Sequence, residues 1–362
     1  MKKFIAIVGT SYPEIHGATN VTEFFTNILK NNEINILRLS YKNYFFIPNA
    51  NTSFLEAKLS KFISFIGIYL NILRNIKSIN ALYLQENSGF GKIYDISFLI
   101  LFIIFRKKCF YHNHTYNKIK RYDLNTKVIQ FISKFGVKNI FQSRTEAKNF
   151  IRIYGKIKYT IISNSVFIKT PQQHQRKFAK NKQINFGLIS NLNKFKGLDL
   201  FIKIAQDSAT DNNPWFFHLA GPIIEQKNYY LKKIHLTKKI KYHGPIFNPK
   251  QKESFYQNID FFIFLSSYKK ESEALVMLEA ISNGCVPIVY DQGQLGNLVG
   301  EKKLIIPKDI DPYLYIKNLI RDISFNNELE NLSSKSINLF NNLKINSQNN
   351  LKEIVKEIKD VL

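Results

Sequence analysis

The chain has 362 residues, enough for two α/β domains of about 150–200 residues each, and 45% of them are hydrophobic. Two cysteines, Cys109 and Cys285, exclude a disulfide framework and any cysteine-based metal-ligand spacing. Of the net charge of +25, residues 1–169 carry +17, with 25 Lys and Arg against 8 Asp and Glu. This excess favours an anionic partner: a membrane surface, a nucleic acid or a phosphorylated acceptor. Base composition of the gene is the alternative, because Lys, Asn and Ile are abundant.

Short β-rich runs alternate with helical patterns along the first half of the chain. The opening apolar run is too short for a signal peptide, so residues 4–9 are predicted to form the first strand. The most apolar stretch, 96–105, is shorter than the roughly 20 residues that span a bilayer. We predict a buried helix over a sheet there, with interfacial membrane contact as the alternative. Further helices are predicted over 20–30, 54–76 and 145–154, and strands over 34–39, 81–85, 108–112, 139–141 and 160–162.

The segment 169–183 is polar, contains a proline and has no clear period, which is typical of a linker. The alternation then restarts. Helices are predicted over 198–207, 227–235, 250–258 and 275–283, and strands over 184–189, 215–220, 240–243, 261–265 and 286–290. From residue 327 onward we predict helix with breaks at the Asn-Asn pairs. The fold class is therefore α/β, with two Rossmann-like doubly wound domains over 1–168 and 184–345 and a C-terminal helix over 346–362 that could pack back on the first domain.

Ligands of doubly wound sheets bind beyond the carboxyl ends of the strands. The most informative end is that of the fourth strand in the second domain, where a polar loop carries Glu271 and a helix begins near Ala274. Free amides of Leu275 and Val276 at the helix start can hold a diphosphate. Glu279, in the second turn of that helix, can accept hydrogen bonds from both ribose hydroxyls. Glu271 can accept hydrogen bonds from the hydroxyls of a sugar. Both glutamates could instead be ordinary exposed residues of a loop and an amphipathic helix.

The same stretch resembles the E-x7-E signature of the retaining GT-B glycosyltransferases of family 4. Both glutamates are separated by seven residues and are followed by the family's alanine, glycine and proline, here Ala280, Gly284 and Pro287. Departures from the usual small or aromatic residues occur at Ser272, Glu273 and Ala274. These departures bear on the sugar specificity more than on the family.

A second stretch, residues 190–197, resembles the family's G-R-L-x-x-x-K-G run. Lys196 takes the place of the diphosphate-binding lysine, and Gly197 permits close approach of the backbone to phosphate. Asn191 stands where the family has an arginine, so one of the two usual cations is absent. Taken alone, Lys196 could be an ordinary solvated lysine.

The first half of the chain supplies further candidates. Gly17 ends a stretch, residues 12–18, that resembles the family's flexible first loop beside the donor phosphates. His114 resembles the family's active-site histidine near sugar and acceptor, because it follows a predicted strand. His112 could do so instead, or could point into the sheet as a core residue. In the second half, Gly221 and Gly244 end predicted strands and are secondary candidates.

The resemblance implies two domains that face each other across a cleft and a retaining transferase that needs no metal or other cofactor. Its donor is a nucleotide sugar, with a UDP-sugar favoured. Lys196 and helix-start amides stabilise the leaving diphosphate, Glu271 positions the sugar, and His114 contacts the sugar or steers the acceptor. The expected acceptor is a saccharide or lipid-linked saccharide in bacterial surface polysaccharide or lipopolysaccharide synthesis, for example of O-antigen. We expect a cytoplasmic protein that could lie peripherally on the inner face of the cytoplasmic membrane.

Several other functions compete with this interpretation. A nucleotide-sugar epimerase or an inverting transferase could use the same fold. A nucleic-acid-binding protein is disfavoured, because the basic residues are scattered and no recognisable motif accompanies them. A NAD-dependent dehydrogenase is disfavoured because no strand is followed by G-x-G-x-x-G. The His-x-His sequence at 112–114 lacks a nearby cysteine or carboxylate to complete a metal site.

Overall fold

The computed structural model describes residues 3–10, 17–41, 54–171, 183–268 and 271–362. The chain divides into two compact units, the first made of residues 1–167 and 346–362 and the second of residues 168–345. The predicted loop at 12–16 and most of the predicted linker, 172–182, lie outside the described residues. In the described parts of the chain, no helix combines the length and the apolarity needed to cross a bilayer.

The first unit contains a six-stranded parallel sheet with strand order β2-β1-β3-β4-β5-β6. Its strands are β1 Phe4–Thr10, β2 Ile36–Tyr41, β3 Ile79–Gln85, β4 Lys108–His112, β5 Val137–Phe141 and β6 Tyr159–Ile161. Its helices are α1 Gly17–Asn31, α2 Phe54–Asn75, α3 Lys92–Ile104, α4 Asn117–Lys120, α5 Leu124–Ser133 and α6 Arg144–Tyr154. Right-handed crossovers put α2, α3, α5 and α6 on one face of the sheet and α1 on the other, because only α1 leads back toward β2.

The second unit contains another six-stranded parallel sheet, with strand order β12-β11-β10-β7-β8-β9. Its strands are β7 Ile184–Ile189, β8 Trp215–Ala220, β9 Ile240–Tyr242, β10 Phe261–Phe264, β11 Val286–Tyr290 and β12 Ile305–Ile306. Its helices are α7 Leu198–Thr210, α8 Lys227–Leu236, α9 Pro249–Gln257, α10 Leu275–Ser282 and α11 Pro312–Phe325, and α12 Leu329–Lys359 starts in it. The order reverses between β7 and β10, which makes their carboxyl ends the place for a ligand.

The strands form where the sequence has unbroken apolar runs, because parallel strands are covered on both faces. All four residues of β10, FFIF, are buried, and β1 buries its five central residues. Helix starts are marked by side-chain caps: Ser143 caps α6, Asn248 caps α9 and Asp311 caps α11, the last two followed by a proline. These signals explain why most elements could be predicted.

Four helices differ from the prediction. Helices α4, α5 and α11 are additional to those expected, and α12 is one continuous helix of 31 residues without breaks at its Asn-Asn pairs. Buried apolar residues at helical spacing, such as Leu351, Ile354 and Ile358, hold α12 in place. Since none of the asparagines in those pairs is buried, their low helix propensity is outweighed by packing. Residues 346–362 belong to the first unit, where the Asn350 amide donates to the carbonyl of Ile161 at 2.7 Å.

Candidate functional site

The loops that follow β7 and β10 meet at the carboxyl edge of the second sheet, where the two strands lie side by side. A single 3-10 turn, Lys194–Lys196, follows β7. The Lys196 ammonium donates to the carboxylate of Glu271, from the loop after β10, at 2.5 Å. The hydroxyl of Ser266 donates to the same carboxylate oxygen at 3.1 Å. The structure therefore joins the predicted phosphate-binding lysine and the predicted sugar-binding glutamate in one ion pair.

Backbone geometry explains why this pair is held in one place. The side chain of Asn193 accepts a hydrogen bond from the Lys196 amide at 3.0 Å and closes the turn. Gly197 follows with φ of 85°, and a Cβ there would lie 2.9 Å from the carbonyl oxygen of Leu265. Glycine is thus needed for both its conformation and the close approach of α7 to β10.

A second close approach holds the other half of the pair. Gly293 has φ of 63°, and a Cβ at this position would lie 1.9 Å from the carbonyl oxygen of Glu271. No larger residue could occupy position 293 without moving the glutamate. The loop after β11 therefore packs directly against the backbone of the loop after β10.

Burial makes the ion pair stronger than one on an open surface. The Lys196 side chain is 20% exposed and that of Glu271 is 9% exposed. The ammonium also lies 4.8 Å from the centre of the Tyr268 ring, a cation–π contact. Burial and the nearby charge of Glu271 raise the pKa of Tyr268, so this tyrosine stays a neutral donor. An entering anion would meet a cation that is already positioned.

Helix α10 starts beside this loop and carries the second predicted glutamate. It begins at Leu275, and its N-cap residue, Ala274, gives no side-chain hydrogen bond to the first amides of the helix. Glu279 accepts from Lys252 of α9 at 2.5 Å and from the hydroxyl of Tyr256 at 2.9 Å. These two contacts orient the Glu279 carboxylate.

The remaining predicted positions of the second unit lie along the same edge. Asn191 follows β7 and is exposed, whereas Ser272 is buried in the loop after β10. Gly221 follows β8, and its amide donates to the carbonyl of Gly244, after β9, at 2.8 Å. Val276 lies half-buried in the first turn of α10.

At the carboxyl edge of the first sheet, a buried carboxylate fixes the loop that follows β4. Glu86, directly after β3, accepts from the amides of His114 at 2.7 Å and Thr115 at 3.0 Å, and from the Lys118 ammonium at 2.8 Å. Lys92 lies 3.6 Å away. Burial opposes ionisation of Glu86, but the two cations and these hydrogen bonds lower its pKa to about 2. The charged carboxylate is thus a permanent anchor for the loop that carries His114.

The two histidines of this edge have different environments. His112 is buried, and its Nδ1 lies 2.5 Å from the hydroxyl of Tyr83. Burial and the neighbouring positive groups push the pKa of His112 well below its usual range, so the ring stays neutral. His114 is half-buried, its ring centre 4.1 Å from that of His112 and its Nδ1 3.3 Å from the Gln142 amide nitrogen. His112 is therefore a core residue, and His114 is the histidine placed toward the edge.

One predicted site residue of this unit, Gly17, is left to place. Gly17 is the first residue of α1, directly after the undescribed segment 11–16. Within the described ranges, no three histidine, cysteine or carboxylate side chains are grouped so as to hold a metal ion.

Comparison with known proteins identifies the class of enzyme. Residues 169–338 match the family model of the glycosyl transferases group 1. The protein is a glycosyltransferase. No curated protein sequence is significantly similar to it.

Solved structures show the fold of this glycosyltransferase over nearly its whole length. It is similar to HepE from Anabaena, solved in complex with UDP, with a TM-score of 0.67, 14% identity and coverage of 98% of this chain and 100% of that one. A glycosyltransferase from Rickettsia africae has a TM-score of 0.68 at 14% identity, with 99% of each chain covered. A sucrose-phosphate synthase from Thermosynechococcus elongatus has a TM-score of 0.66 at 13% identity, covering 99% of this chain and 98% of that one. The predicted GT-B fold is confirmed.

Several residues that shape the two edges of this glycosyltransferase were absent from the sequence-based set. They are Glu86, Lys118, Lys252, Tyr256, Ser266 and Tyr268. Only Glu86 and Ser266 could have been selected from the sequence, because Glu86 directly follows a strand and Ser266 comes two residues after the end of one. The others contact residues far away in sequence and needed the fold.

Proposed function

We propose that this glycosyltransferase moves a sugar from a nucleotide sugar, with a UDP-sugar favoured, to a saccharide or lipid-linked saccharide acceptor. The observation that carries the proposal is the Lys196–Glu271 pair at the strand-order reversal of the second sheet, next to the uncapped start of α10. Three structures of Anabaena HepE, solved with UDP, with UDP and glucose and with UDP-glucose, support a uridine donor by analogy of fold.

On donor binding, Lys196 and Glu271 would give up their contact with each other and each would take a new partner on the donor. The diphosphate takes the Lys196 ammonium and the free amides at the start of α10, which neutralise charge as the bond to the sugar breaks. Glu271, released from the lysine, accepts hydrogen bonds from the sugar hydroxyls and positions the anomeric carbon. Glu279, oriented by Lys252 and Tyr256, accepts from the ribose hydroxyls.

His114 would act on the acceptor side. Its loop is fixed by Glu86, so its half-buried ring holds one orientation at the edge of the first sheet. We propose that it contacts the sugar or steers the acceptor hydroxyl, and that the leaving phosphate receives the acceptor proton. No covalent nucleophile is assigned.

The resemblance to family 4 further leads us to propose retention of the anomeric configuration and independence of divalent metal. Transfer should continue in EDTA, and proton NMR of the product should show the anomer of the donor. An inverted product would identify an inverting transferase. Conversion of the donor sugar without any acceptor would identify an epimerase.

A thermal-shift panel tests the donor assignment. Wild type, Glu279→Ala and the control Glu330→Ala, an exposed residue of α12, are melted with UDP, GDP, ADP and their common sugar conjugates. A ligand that binds the native state raises the melting temperature by mass action. One nucleotide series should stabilise wild type and the control and lose its effect in Glu279→Ala. The donor assignment fails if no series stabilises wild type or if Glu279→Ala responds like the control.

A further inference from the structure

Helix α2 is apolar on both of its faces, whereas an ordinary surface helix is polar on the face toward solvent. The stripe that packs on the first sheet consists of Ser60, Ser64, Ile68 and Ile72, which are 1%, 3%, 5% and 0% exposed. The opposite stripe is apolar and between 39% and 76% exposed; its residues are Leu55, Leu59, Phe62, Ile63, Ile66, Leu70 and Leu73. Because seven large apolar side chains on one helix face are costly to leave in water, this face needs a covering partner.

The apolar surface continues onto the two neighbouring helices. Phe65 of α2 stacks on Tyr94 of α3, with ring centres 4.4 Å apart, and α3 packs against α5 on the same side of the sheet. Exposed apolar residues on the outer sides of α3 and α5 are Ile93, Ile100, Ile104, Leu124, Val128 and Phe131. The outer stripes of α2, α3 and α5 together form what we call the apolar face.

The charges around the apolar face are almost all positive. Residues 124–138 contain three lysines and no acidic residue, and residues 104–108 contain one arginine, two lysines and no acidic residue. The acidic side chains here are few: Glu56 is exposed on α2, Asp95 is buried in α3, and Asp123 contacts Lys92 at 2.9 Å. A bare apolar surface with a cationic rim complements an anionic bilayer, whose headgroups meet the cations and whose acyl region takes the apolar residues.

A cavity of about 860 Å³ lies where the stripes of α3 and α5 end, at the amino-terminal edge of the first sheet. Its wall includes apolar Ile103, Phe105 and Phe135 and the cations Arg106, Lys107, Lys108, Lys138 and Lys158. Glu357 forms ion pairs with both Lys108 and Lys138. Among the described residues, Arg106 and Lys158 have no such partner, and both are exposed.

The backbone at Arg106 ends helix α3 beside the cavity. It follows α3 with φ of 51°, the left-handed conformation in which glycine is favoured after a helix. Its amide and that of Lys107 donate to carbonyls of the last turn, of Ile103 at 2.9 Å and Phe102 at 2.8 Å. Arg106 thus stands in the wall of the cavity directly after the end of α3.

We propose that the apolar face docks on an anionic lipid bilayer, with the cavity at its end receiving a lipid phosphate beside Arg106 and Lys158. The inference extends the proposed function by naming the surface that would bring the enzyme to a lipid-linked acceptor. It places that surface away from the carboxyl edge of the first sheet, which carries His114. Binding to a bilayer can be measured without any donor or acceptor, so the two proposals can fail separately.

The test is co-sedimentation with vesicles of phosphatidylcholine alone and vesicles in which phosphatidylglycerol replaces a quarter of it. Wild type should bind the anionic vesicles at least tenfold more tightly, and added salt should weaken that binding. Arg106→Gln with Lys158→Gln should reduce it about 25-fold, since each cation near an anionic bilayer contributes about fivefold. Ile66→Ser with Leu70→Ser should reduce it roughly tenfold or more through lost apolar burial.

Controls come from the second unit, where Lys227→Gln with Lys302→Gln and Phe247→Ser with Phe325→Ser change exposed residues of the same kind and should bind like wild type. Circular dichroism melts show whether each variant folds, and the nucleotide thermal shift should be unchanged in all of them. Absent binding, equal binding to neutral vesicles, or loss of binding in the controls overturns the proposal. A wild-type dimer by analytical ultracentrifugation that Ile66→Ser with Leu70→Ser dissociates would instead assign the face to a second copy of the chain.

Discussion

The exchange of partners at Lys196 makes a prediction in which one substitution tightens nucleotide binding. In the free enzyme the Lys196 ammonium is held by Glu271 at 2.5 Å, and a diphosphate must compete with that carboxylate. Glu271→Gln removes the competitor and keeps the shape of the side chain. A hydrogen bond to a charged group contributes about 1.5–3 kcal/mol, and the 20% exposure of the lysine side chain argues for the lower part of that range.

We therefore expect Glu271→Gln to bind UDP more tightly by about 1–2 kcal/mol, or about 5- to 30-fold. Isothermal titration calorimetry measures this directly. The same substitution leaves Lys196 without its carboxylate, so the ligand-free protein should melt a few degrees lower, about 2–4 °C for each kcal/mol lost. Sugar transfer should fall roughly tenfold or more, because the sugar loses the group that positions it.

The control is Lys196→Gln, which removes the cation and should weaken UDP binding by a similar factor. Opposite effects of the two substitutions on UDP affinity are the signature of partner exchange. If Glu271→Gln weakens UDP binding as much as Lys196→Gln does, the pair acts as one fixed unit and the exchange mechanism is wrong.

Three further predictions concern single positions. Glu86→Gln should lower the free energy of unfolding, measured with urea near neutral pH, by about 3–5 kcal/mol. The pKa of Glu86 is about 2 in the folded protein and 4.5 ordinarily, so the difference in stability between wild type and variant should shrink as the pH falls from 4.5 toward 2. Gly197→Ala should lower the free energy of unfolding by about 2–3 kcal/mol, because the added Cβ meets the Leu265 carbonyl. Gly244 has φ of 69° and open space around it, so Gly244→Ala should lower the free energy of unfolding by about 1 kcal/mol in the same experiment. Glu279→Ala should weaken UDP binding by calorimetry about tenfold or more, through loss of charge-assisted hydrogen bonds to the ribose, and an unchanged affinity would remove Glu279 from the site.

Most of the sheet architecture could be predicted because its strands are short apolar runs bounded by polar turns. β1, β7, β8 and β11 were each placed within one residue of their observed ends. Helix α5 was missed since its sequence, LNTKVIQFIS, mixes polar and apolar residues and its start depends on a cap by Asp123. The breaks expected in α12 did not occur, because packing along the helix outweighs the preference of asparagine for turns.

The candidate site shows what sequence order can and cannot supply. Lys196 and Glu271 were selected because both follow strands, and the rule that ligands bind at carboxyl ends needs only the strand positions. Their direct contact spans 75 positions of sequence, and that of Lys252 with Glu279 spans 27. Contacts at such separations follow from strand order, which the alternation of elements does not determine.

The two lysine–glutamate pairs at the carboxyl edges differ in a way that separates structure from function. The Lys118–Glu86 pair has both side chains 1% exposed, and Glu86 also accepts two backbone amides. If a ligand took the place of Glu86 or Lys118, the other side chain would be left as a buried charge without a counter-ion. This pair therefore holds a loop and does not exchange its partners for a ligand. The Lys196–Glu271 pair is 20% and 9% exposed and rests on a loop and a single turn of helix. In the proposed exchange a diphosphate takes the place of Glu271 at the ammonium, and the carboxylate accepts hydrogen bonds from the sugar hydroxyls. The difference in burial therefore supports the second sheet as the place where a donor phosphate binds, and the first as a fixed platform for His114.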